Sequence, residues 1–197
     1  MKRPAILMFL IATLAAAHPM GNFSVSHYAR IEPTGRGVEL LYALDLAEIP
    51  TFDLLRSWQL DPNSPRELLD AKAREQALVW LNGLRITTNG GSVKPRLLSA
   101  ELVIADGAGN LPIARITMHA RLDGVDESIR YEDTNYAERA GWKEIVVAAG
   151  DGTTLRQSSQ TANDMSKALT QYPPDPTLAP PQDLRAELSW RVEEPVR

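Results

Sequence analysis

Short runs in which apolar and polar side chains alternate recur along this chain, and a period of two leaves little besides half-buried β-strands. Over residues 22–31, Phe23, Val25, His27, Ala29 and Ile31 share one face, while Asn22, Ser24, Ser26, Tyr28 and Arg30 share the other. Thr34-Gly35-Arg36-Gly37 turns the chain, and Val38, Leu40, Tyr42, Leu44 and Leu46 alternate again, which predicts a hairpin. The same period returns in Leu84, Ile86 and Thr88, ahead of the tight-turn signal Asn89-Gly90-Gly91. Residues 98–104, 116–122, 142–149 and 184–192 are further strand candidates.

One stretch departs from this pattern. Pro50-Thr51 interrupts the second run, and Phe52, Leu54, Leu55 and Trp58 suggest a short helix. Ser64, Pro65 and Glu67 have the spacing of a capping box with proline at the first helical position. Leu69, Ala73, Ala77, Trp80 and Leu81 follow at helical spacing, and Asn82-Gly83 is a stop signal. About eight short strands around one helical insert predict a mainly β protein, an antiparallel β-sandwich, Ig-like in the broad sense. The expected boundaries are a leader over 1–17, a sandwich over 18–171 with its helical insert at about 51–82, a proline-rich linker over 172–183, and a C-terminal strand or tail over 184–197.

The leader expectation rests on Lys2 and Arg3, an apolar run over 4–17 broken only by Thr13, and Ala15-Ala16-Ala17 at its close. That is the layout of a secretory signal cleaved after Ala17, and the run falls short of the roughly 20 residues a spanning helix needs. An uncleaved anchor is the alternative. The expected location is extracytoplasmic, periplasmic or secreted.

Composition removes several classes of chemistry. The chain has 21 Lys+Arg against 25 Asp+Glu, so it has no basic excess for nucleic acid. It has no cysteine, which excludes disulfides, thiol catalysis and thiolate metal sites. Its three histidines are His18, His27 and His119. The chain contains no phosphate-cradling loop, G-x-S-x-G elbow or H-E-x-x-H motif, and Gly107-Ala108-Gly109 reads as a surface loop rather than a dinucleotide fingerprint. The acidic pairs Asp126-Glu127 and Glu132-Asp133 read as a solvated loop, and Asp45 and Glu48 as turn or helix-entry residues. We therefore expect no enzyme and no organic cofactor.

The new N-terminus left by cleavage carries chemistry. A chain beginning at His18 offers its α-amine and ring nitrogen to one ion, a nitrogen pair suited to Cu(II) or Ni(II). Pro19 has no amide hydrogen, so successive backbone nitrogens cannot wrap the ion and a second imidazole is needed. His27 is the candidate second ligand. His119, on a face with Arg115 and Arg121, is the poorer one. The competing reading makes His18 a free end and His27 a core histidine.

Residues 18–31, HPMGNFSVSHYARI, resemble the start of an exported domain found at the N-terminus of nickel/cobalt-transporter-like membrane proteins of the NicO type. Two later blocks are similar to the same family, in family order: LDLAEIPTF over 44–52, and Asn135-Tyr136 followed by GWKEI over 141–145. The resemblance implies an accessory or sensing domain associated with nickel/cobalt transport and partnered by a multi-span membrane permease. Within it, His18 and His27 would hold Ni(II), Co(II) or Cu(II). In that family the ion-conducting histidine and aspartate lie in a membrane helix, and this chain has no such motif, so transport by the chain itself is not implied. The alternatives are a metal-free extracytoplasmic interaction module and, last, a secreted hydrolase.

Overall fold

The computed structural model describes residues 21–175 and 177–193. The expected leader over 1–17, the cleavage point after Ala17, and His18 lie outside the described residues. Two alternating runs open the fold as strands β1 (Val25–Thr34) and β2 (Gly37–Leu46), which pair antiparallel through a turn at 34–37. His27 stands opposite Leu44 and Val25 opposite Leu46, so the apolar faces of the two strands coincide.

Helix α1 (Glu48–Ser57) follows immediately. It begins before Pro50, which sits within the first turn, where a missing N–H removes no intrahelical bond. Helix α2 (Arg66–Asn82) comes next and buries Leu69, Ala73, Ala77, Trp80 and Leu81. The capping box does not form. Pro65 is the cap residue and no side chain bonds there. Ser64 Oγ instead accepts the Asp61 amide within the preceding turn. No described helix is long and apolar enough to cross a membrane.

The remaining strands are β3 (Leu84–Thr88), β4 (Gly91–Val93), β5 (Arg96–Asp106), β6 (Pro112–Leu122), β7 (Ser128–Asp133), β8 (Lys143–Val147), β9 (Thr153–Ser158) and β10 (Arg185–Val192). They form two five-stranded sheets, in orders β5-β6-β2-β1-β8 and β4-β3-β7-β10-β9. The protein is thus a mainly β sandwich with a helical insert between β2 and β3. One pairing departs from the antiparallel expectation: β8 runs parallel to β1, with His27 beside Lys143 and Ile31 beside Val147.

The inward faces of both sheets and the buried stripe of α2 share one apolar core, which includes Ile31, Leu44, Ile116, Ile86, Ile129, Leu188 and Trp80. A smaller cluster lies on the outer face of the first sheet, where Tyr28, Ala43, Trp142 and Val146 are covered by Leu169. The segment 163–172 reaches this face through Glu144, whose carboxylate accepts the amides of Met165 (2.6 Å) and Ser166 (3.2 Å). The proline-rich stretch read as a linker runs beside β8. Pro181 O accepts the Lys143 amide, and the Asp183 amide donates to Lys143 O. β10 lies inside the second sheet, between β7 and β9.

Candidate functional site

His27 alternates inward with Val25, Ala29 and Ile31, so its ring enters the space between the sheets, where it is 2% exposed. Asp133 reaches the same space from the second sheet because Ile129, Tyr131 and Asp133 are the inward residues of β7. The two side chains meet, with His27 Nδ1 2.8 Å from Asp133 Oδ2. Tyr42, inward on β2, donates its hydroxyl to the same oxygen at 2.8 Å. Asn135 completes the cluster: its amide N–H and its Nδ2 lie 2.9 and 3.0 Å from Asp133 Oδ1. Nδ2 also lies 3.1 Å from the Tyr42 hydroxyl and 2.9 Å from Trp80 O at the end of α2. A buried carboxylate is costly unless its lone pairs are used, and donors surround both oxygens here.

Two sheets and a helix are tied together at this point. Thr134 bonds Gly83 O through both its amide and its hydroxyl, which holds the end of α2 against the chain leaving β7. Burial raises the Tyr42 hydroxyl well above the ordinary tyrosine range, and the neighbouring Asp133 charge adds to the effect. Tyr131 shifts the same way, first through burial and then through Asp133. Two buried polar atoms of the cluster have no hydrogen-bond partner: His27 Nε2 and the Tyr131 hydroxyl. Asp133 also forms part of the wall of a cleft of about 450 Å³, together with Glu132, Thr134, Gln182 and Asp183.

The three sequence blocks that carry the family resemblance meet along β1, and two of them supply members of this cluster. The first supplies β1 and His27. The second begins at Leu44, opposite His27, and its Ala47 and Ile49 amides donate to Ser24 O and Asn22 O. The third contributes Asn135 and the start of β8, where the His27 amide donates to Trp142 O at 2.6 Å. Gly141 is required at that junction, because a Cβ there would collide with the Val25 carbonyl.

Of the three histidines, His27 lies in the cluster, His119 is exposed on β6 with its side chain on the opposite face, and His18 is outside the described residues. Among the described residues no group of three or more His, Cys, Asp or Glu side chains is placed to hold an ion. Asp133 corrects the reading of the acidic pair as a solvated loop: strand alternation sends Asp133 inward, while Glu132 faces out and pairs with Arg185 at 2.7 Å. Every second residue from Ile129 to Asp133 carried that signal. Asp45 and Glu48 are likewise buried, with Asp45 accepting from Tyr172 and Glu48 from the Ala108 amide. No protein-family model matches the sequence, and no curated protein matches it.

Proposed function

We propose that this chain is an extracytoplasmic accessory or sensing domain associated with nickel/cobalt transport, acting beside a multi-span membrane permease. The observation that carries the reading is the meeting of the three resembling blocks along β1, two of which supply His27 and Asn135 to the buried cluster around Asp133.

The donor chemistry of His27 fits a transition ion in one respect. Its Nδ1 is held by a carboxylate and its Nε2 is unclaimed, the arrangement usual for a ligating imidazole. His18, through its α-amine and ring, would supply the remaining nitrogen donors. What a bound ion supplies is a reversible, pH-sensitive link between the chain's start and the sandwich.

A second reading, a metal-free interaction module, is favoured by the enclosure of the His27 ring. Calorimetry separates the two. Protein beginning at His18 is expected to bind Cu(II) or Ni(II) more tightly than protein with one residue added before His18, which turns the α-amine into an amide. His27→Ala weakens binding and His119→Ala does not. Equal affinity with and without the added residue would leave the interaction module as the better reading.

A further inference from the structure

We infer that Asp133 is the positioning residue that holds the His27 ring with its hydrogen on Nδ1, so that Nε2 is the atom His27 presents to a ligand. The first half stands on geometry alone; the second rests on the metal reading above. Four donor groups surround the Asp133 carboxylate: His27 Nδ1 and the Tyr42 hydroxyl at Oδ2, and the amide N–H and Nδ2 of Asn135 at Oδ1. The Tyr42 hydroxyl and the Asn135 backbone N–H already donate to one oxygen each, and Asn135 Nδ2 shares its two hydrogens among Oδ1, Trp80 O and the Tyr42 hydroxyl, so the group is arranged to accept and it accepts from His27 as well. Nδ1 therefore carries the hydrogen.

The other ring nitrogen is buried and without a partner. A hydrogen placed on it would be a second donor with nothing to receive it, and on a charged ring. The bare lone pair is the less costly arrangement. Tyr42 cannot substitute for Asp133 here, because its hydroxyl hydrogen is committed to the same Oδ2 and its oxygen lies within reach of Asn135 Nδ2. Lys143, the cross-strand neighbour of His27, is directed elsewhere, with Nζ 2.7 Å from Ala137 O. The ring orientation thus depends on one carboxylate delivered by the opposite sheet. An ion that takes His27 Nε2 would meet a ring whose orientation that carboxylate has already fixed.

Long-range proton–nitrogen NMR correlation of the ¹⁵N-labelled, metal-free protein beginning at His18 tests this. His27 Nε2 is expected at the shift of an unprotonated ring nitrogen and Nδ1 at that of a protonated one. Asp133→Asn moves both nitrogens toward the opposite tautomer or an average. Tyr42→Phe, which leaves the His27–Asp133 contact in place, does not. An Nε2–H tautomer in the unaltered protein overturns the inference, whatever the variants do. In a Cu(II) titration of the same sample, the His27 resonances broaden at substoichiometric ion, and Asp133→Asn lowers affinity by about 10–100-fold, the usual range for such partners. The expected tautomer with no Cu(II) binding overturns the metal reading alone. Binding that leaves the His27 ring unperturbed overturns the assignment of Nε2.

Discussion

At the scale of single residues, the most consequential side chain is Asp133. Replacing it with Ala strands His27 Nδ1, the Tyr42 hydroxyl hydrogen and the Asn135 backbone N–H, while Asn135 Nδ2 keeps Trp80 O. Breaking a buried pair this way costs about 3–5 kcal/mol. Tyr42→Phe removes one hydroxyl and leaves every other donor a partner, so its expected cost is about 1 kcal/mol. Urea unfolding of the two variants measures the contrast, and equal losses would mean that the carboxylate is not the centre of the cluster. The tyrosines permit a second test. All five are held above the ordinary range, with burial the first cause in each. Above about pH 10 the unfolded chain loses tyrosine protons that the folded chain keeps. The unfolded state then binds fewer protons, so stability is complete below that pH and falls as pH rises beyond it. Tyrosinate absorbance is expected to appear together with loss of near-ultraviolet dichroism; a smooth rise centred near pH 10 in the folded protein would count against buried hydroxyls.

At the scale of elements, α2 tests how far the helical insert belongs to the core. Leu69 and Trp80 are buried on its inner stripe, with the Trp80 ring edge-on to Tyr136 at 6.2 Å, whereas Leu78 on its outer side is half exposed. Leu69→Ala or Trp80→Ala is expected to cost about 2–5 kcal/mol. Leu78→Ala is expected to stay within about 0.5 kcal/mol. Losses well under 1 kcal/mol at both buried positions would make the helix a solvated excursion. The junction of β1 with β8 makes a different demand. Gly141→Ala forces a methyl group against the Val25 carbonyl at the first turn of the parallel pairing. Hydrogen exchange should then accelerate along β8 and at the His27 amide, while β5 and β6 keep their protection.

At the scale of the whole molecule, the chain is two sheets joined by an apolar core and by buried polar bridges, the Asp133 cluster and the Thr153 hydroxyl on Pro33 O among them. Far-ultraviolet circular dichroism should show a β-dominated protein with a smaller helical contribution. Export is tested separately, behind the chain's own first residues. A periplasm-dependent reporter fused after residue 17 should become active, and the mature product should begin at His18. A soluble cytoplasmic product that retains Met1 would remove the compartment and the N-terminal chelate together.

Periodicity along the sequence was enough to specify the strands that alternate cleanly, the buried stripe of α2, and the sandwich class, because side-chain direction in a strand or helix is a local property. It sufficed less well where strands are short or polar: β4, β7 and β9 carry too few apolar residues in a row to stand out. Local pattern also misplaced the helix start, since a serine with capping geometry was drawn into its own turn. His27 was legible as an inward residue of β1. Its partner was not, because Asp133 lies 106 residues away on the other sheet and nothing in either neighbourhood names the other. The parallel seating of β8 on β1, and with it the meeting of all three resembling blocks, was decided in the same way. Pairing between distant segments depends on which buried polar groups can satisfy one another when the sheets close, and only the assembled sandwich puts that question to the chain.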